Sequence, residues 1–111
     1  MLDIDTMKHV KHKFKAVRCE SDGKKFPSKL ERNFYDQLVF RQKAGDVLFF
    51  LRQVAFDLPG NVRYFSDFQV FLPDGTVEFI DCKGVDTPAS IIKRKMVEDL
   101  YPVTIKIISK V

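Results

Sequence analysis

Apolar and polar positions change their period several times along this chain. In "PSKLERNFYDQLVFRQKAG", Leu30, Phe34 and Leu38 recur at the spacing of one helical face, Ser28 offers an N-cap hydroxyl, and Gly45 can close the C-terminus, which predicts a helix. The period then falls to two. "DVLFFLRQVAFDL", "RYFSDFQVFL" and "TVEFIDCK" predict three strands, with "PGN" at 59–61 breaking the chain after the first. Pro73-Asp74-Gly75 turns the second strand sharply into the third, so these two should be antiparallel neighbours. Thr87-Pro88 reads as an N-cap followed by proline at the first helical position, opening a helix to about Leu100 with Ile92, Met96 and Leu100 on one side. Tyr101-Pro102 ends it, and "VTIKIIS" predicts a last strand, which a helical crossover would pair in parallel. Upstream, "HKFKAVRCESDGKKF" predicts a short hairpin turning at Asp22-Gly23.

The resulting order is an N-terminal hairpin, then helix, three strands, helix and strand: an α/β chain with an α+β type of mixed sheet. No repeat, linker or low-complexity tract divides it, so residues 1–111 are expected to form one domain. With 45% hydrophobic and 13% aromatic residues, 11 of them Phe, the chain can fill a core, and 31% charged residues keep its surface polar. No apolar run approaches the roughly 20 residues of a membrane helix, and the N-terminus has no secretory apolar stretch. The expected compartment is the cytoplasm, with Cys19 and Cys82 as free thiols.

Charge adds a direction to this picture. The net value is only +4, but within residues 1–32 Lys and Arg outnumber acids nine to five, and Lys93, Arg94 and Lys95 form a second basic cluster. Such clusters suit a polyanion such as nucleic acid, and equally a solvated face; residues 1–12 read as a flexible basic arm. His9 and His12 lack the further ligands of a zinc site.

The chemistry concentrates in "TVEFIDCKG". Asp81 and Lys83 stand two apart at the end of an apolar strand, so both side chains leave one face, while Cys82 points to the other and reads as packing. A carboxylate and an ammonium there can hold a divalent metal and polarise a phosphate, or be an exposed strand end. The tripeptide alone is weak, since Asp22-Gly23-Lys24 repeats it in a turn. Asp67 strengthens it: it lies among Phe65, Phe68, Val70 and Phe71 on the strand folded back beside Asp81, where an ionised carboxylate is costly unless paired or bound to a cation. Glu31 has two explanations. Ser28-Lys29-Leu30-Glu31 spells a capping box, yet Phe34 and Leu38 at i+3 and i+7 place Glu31 at the border of the face turned to the sheet.

Glu31 on the first helix, Asp67 on the second strand and Asp81-Cys82-Lys83 on the third, in this order of elements, resemble the PD-(D/E)XK nuclease superfamily. The fuller run of "KFKAVRCESDGKKFPSKLERNFYDQL", "QVAFDL", "SDFQVF" and "FIDCKG" is similar to small phage-encoded endonucleases and to archaeal-type Holliday junction resolvases, over roughly residues 13 to 108. The resemblance implies a restriction-endonuclease-like core and a metal-dependent DNA endonuclease. Asp67 and Asp81 would be the metal ligands, with Glu31 completing or ordering the site. Lys83 would be the partner of the attacking water and scissile phosphate. Mg²⁺, or Mn²⁺ in its place, would act as Lewis acid and lower the pKa of a water. Ser66 stands where the motif has proline. Gln53 and Ser28 are accessory candidates, and Lys13, Lys15, Lys29, Lys93, Arg94 and Lys95 are candidate DNA-phosphate contacts.

By the same resemblance the substrate is branched DNA, such as a four-way junction, cut by a homodimer. Phe49, Phe50 and the tail "TIKIIS" are candidates for its interface. A general nicking nuclease, a nuclease subunit of a larger DNA-processing complex, and a non-catalytic nucleic-acid-binding module are the competing readings.

Overall fold

The computed structural model describes residues 19–111. The proposed arm, His9, His12, Lys13 and Lys15 therefore lie outside the described residues. Strands β1 (Cys19–Ser21) and β2 (Lys24–Phe26) form the expected hairpin, with Asp22 at φ 51° and Gly23 at φ 72° supplying its turn. Helix α1 (Lys29–Ala44) begins at Ser28, whose Oγ accepts the Glu31 N–H at 3.1 Å, and ends at Gly45, where φ 87° lets the glycine N–H reach the Arg41 and Gln42 carbonyls. Strands β3 (Phe49–Leu58), β4 (Val62–Phe71) and β5 (Val77–Cys82) follow, then helix α2 (Pro88–Leu100) and strand β6 (Ile105–Ile108).

The main sheet has the order β3-β4-β5-β6. Its first three strands are antiparallel, and β6, reached through α2, lies parallel to β5. The described residues thus form a mixed α/β arrangement of two helices on one four-stranded sheet with a small hairpin beside it.

Two apolar clusters hold it together. Phe34, Tyr35 and Leu38 of α1 pack with Phe26, Val47, Phe68, Val70 and Ile80, with Phe50, Cys82 and Ile108 at the margin. Val97 of α2 packs with Phe56, Leu58, Tyr64 and Ile105, bordered by Val54, Phe79, Met96, Tyr101 and Ile107. On β5 and β6 the clusters take opposite faces, because Ile80, Cys82 and Ile108 alternate with Phe79, Ile105 and Ile107. On β3 and β4, by contrast, even-numbered residues serve both: Phe50, Phe68 and Val70 face α1, whereas Val54, Phe56 and Tyr64 face α2. The hairpin therefore turns over between these two sets, at Gln53 and Asp67.

Two expectations need correction. Helix α2 does not bury Ile92 and Leu100, which are 60% and 55% exposed; its inner face runs through Arg94, Val97 and Tyr101. An arginine sits on that face because Asp86 pairs with it through both carboxylate oxygens, at 2.9 and 2.6 Å. Phe50 and the isoleucines of the tail strand pack on the core, with Ile105 buried and Ile107 and Ile108 half-buried, so of the apolar interface candidates only Phe49 is left exposed. No helix among the described residues is long and apolar enough to cross a membrane.

Candidate functional site

Ladder pairing between β4 and β5 runs from Phe71↔Val77 to Phe68↔Ile80 and stops there. At the next position the side chains take over. The Asp67 N–H donates to Asp81 Oδ1 and the Cys82 N–H to Asp67 Oδ2, both at 2.9 Å, so each carboxylate replaces a carbonyl that the ladder would have offered. Ser66, fully buried, donates its hydroxyl to the Phe68 and Ile80 carbonyls at 3.1 and 3.3 Å and secures the same junction. Ser66 thus contributes side-chain hydrogen bonds that a proline there could not make.

Asp81 is only 1% exposed, and its second oxygen, Oδ2, is buried without a hydrogen-bond partner among the described residues. Burial pushes its pKa up; the Asp67 N–H and the positive charges of Lys83 and Arg94 oppose that shift. Lys83 follows β5 directly, held by its backbone N–H on the Ile108 carbonyl at 3.0 Å.

Glu31 shares the α1 face of Phe34, Tyr35 and Leu38, which turns its carboxylate into the sheet. Ser28 does cap the helix, but Glu31 does not complete the box with its carboxylate. Oε2 instead accepts from Gln53 Nε2 at 3.4 Å and lies 3.6 Å from Arg52 Nη2. Burial first, and the Asp67 charge second, raise the Glu31 pKa to about 7, against the opposing pull of Arg52. Gln53 also donates to Asp67 Oδ1 at 3.2 Å, linking the helix acid to the strand acid.

Arg52 is the residue that pattern reading missed. It stacks over Phe26 at 4.1 Å and supplies the counter-charge of Glu31. Its signal was present in the sequence: in "FLRQVAF" it falls in step with Phe50, Val54 and Phe56, the alternate positions of that strand that are given to packing.

The four principal candidates thus converge on the end of β5, but not as one cage. Among the described residues no three His, Cys, Asp or Glu side chains group closely enough to ligate one ion. Asp67 and Asp81 share the splayed ladder, while Glu31 joins through Gln53. Two carboxylates, one with a buried oxygen lacking any donor, fit Mg²⁺, which keeps several of its waters. Cys82 is a free thiol, half-buried against the α1 cluster, and burial foremost pushes its pKa to about 12, far from that of a nucleophile. Of the basic candidates, Lys29, Lys93 and Lys95 are exposed, whereas Arg94 is engaged by Asp86.

No curated protein and no solved structure matches this chain significantly. A sequence-family profile described as "Protein of unknown function (DUF1064)" matches residues 11–110, almost the whole chain, and the protein belongs to that family.

Proposed function

We propose that this protein is a divalent-metal-dependent DNA endonuclease of the PD-(D/E)XK kind, structure-selective for branched DNA. The observation that carries the reading is Asp81 Oδ2: a buried carboxylate oxygen with no donor among the described residues, at a point where Asp67 and Lys83 also converge. Leaving such an atom unpaired is costly, and a cation removes the cost. Asp67 and Asp81 would hold the ion, which when bound supplies Lewis acidity for phosphodiester hydrolysis. Lys83 offsets negative charge on the scissile phosphate. Glu31, Arg52 and Gln53 set the charge balance behind the site, and the exposed Lys29, Lys93 and Lys95 are available to backbone phosphates. A domain this small leaves little surface for reading bases, which favours recognition of DNA shape.

The test is a cleavage panel with Mg²⁺ or Mn²⁺ on a four-way junction, a flap, linear duplex and single strand. Metal-dependent cutting, greatest on the junction, is expected. Asp81→Asn keeps the Oδ1 acceptor for the Asp67 amide, so it should fold, bind DNA, and cut at least 100-fold more slowly. Full activity in EDTA or in Asp81→Asn would refute hydrolysis at this site; binding without cutting would make the chain a non-catalytic module.

A further inference from the structure

Successive residues of a β-strand point to opposite faces. Arg52 and Gln53 do not: their side-chain nitrogens lie 3.6 and 3.4 Å from the same oxygen, Glu31 Oε2. The backbone gives the reason. Gln53 has φ 52°, a left-handed conformation unusual for a residue with a side chain. The other such non-glycine residues described, Asp22 and Asn61, stand in turns, whereas Gln53 stands in the middle of a ten-residue strand. Nothing is inserted there, because Arg52↔Phe68 and Val54↔Ser66 keep one register on either side. The local distortion sets Gln53 beside Arg52 and turns over the faces of the residues that follow, without shifting the register. Its conformational cost persists only where surrounding contacts over-determine it.

The redirected amide also reaches Asp67 Oδ1 at 3.2 Å. A primary amide carries two N–H donors, one for each carboxylate. We propose that Gln53 is a positioning residue whose amide spans Glu31 and Asp67 and holds both carboxylates in place for a divalent cation. This rests on the metal-dependent reading above. Without the amide nothing bridges the two mutually repelling carboxylates, and among the described residues Asp67 keeps only the Cys82 N–H to fix its rotamer. Outer hydrogen-bond partners of this kind commonly change metal affinity by about 10- to 100-fold.

The experiment titrates Mn²⁺ into the full chain, with free ion read by electron paramagnetic resonance, for the parent, Gln53→Met and Gln53→Gly. Methionine keeps the side-chain length without donors, and glycine relieves the positive φ while removing the amide. Both should bind Mn²⁺ at least tenfold more weakly than the parent, with the glycine variant melting above the methionine variant. Parental affinity in either variant would overturn the positioning role. If the parent itself binds no Mn²⁺, the nuclease reading falls instead. A second readout needs no metal. The Gln53 side-chain amide protons should be shifted downfield and exchange slowly, one of them moving in Asp67→Asn and the other in Glu31→Gln. An amide that exchanges like a free surface glutamine would overturn the proposal.

Discussion

Glu31 carries its proton to about pH 7 because it is buried beside Asp67, and that has a thermodynamic sign. Below about 4.5 both folded and unfolded chains are protonated there. Between that value and about 7 the folded chain holds a proton that the unfolded chain has released, so stability falls as pH rises through this window. Asp81, also raised by burial, acts in the same direction. Metal-free Glu31→Gln should therefore be more stable than the parent at pH 8, on the order of 2 kcal/mol in urea denaturation, with little difference at pH 4. A Glu31 that merely capped α1 would leave stability nearly unchanged, because glutamine makes the same capping-box bond. The sequence could not decide this. Ser28-x-x-Glu31 is compatible with either orientation of the glutamate, and the choice depends on Arg52 and Gln53, which are about twenty residues away.

Helix ends were legible because their signals are local: Ser28 and Thr87 accept from the backbone three residues on, and Gly45 takes the left-handed conformation. The inner face of α2 was not, since reading it required placing Arg94 inward, and the partner that permits this, Asp86, lies outside the helix. The two faces separate by mutation. Val97→Ala, in a fully buried position, should cost on the order of 2 kcal/mol, while Ile92→Ala should stay within about 0.5 kcal/mol. Thermal denaturation of the pair checks the assignment; equal losses would restore the Ile92 face. The left-handed residue inside β3 was equally hidden, because strict alternation on both sides of Gln53 makes the strand look regular.

At the scale of the whole molecule, β3 is an edge of the described sheet, and Leu48, Phe49 and Leu51 beside that edge are 56%, 45% and 46% exposed. Phe49 stacks on Phe71 at 4.2 Å and extends the apolar surface to β4. If the protein cuts junctions as proposed, two symmetric cuts call for a two-fold pair of sites, and this edge is the surface on which to expect it. Light scattering should report a dimer for the parent and a monomer for Leu51→Glu; a monomeric parent would direct attention to the nicking-nuclease or larger-complex alternatives. The division of the core has a separate consequence. One apolar cluster lies under α1 and the other under α2, and Gln53 and Asp67 occupy the places where β3 and β4 pass from one to the other, beside Asp81. On β3 and β4 that crossing is made by polar side chains instead of packed hydrocarbon, while β5 and β6 back both clusters, which makes the α1 and α2 sides the expected units of separate opening. Amide hydrogen exchange should then resolve two opening free energies in the metal-free chain, and a ligand that ties the carboxylates together should merge them into one, making substrate engagement and global cooperativity two readings of the same event.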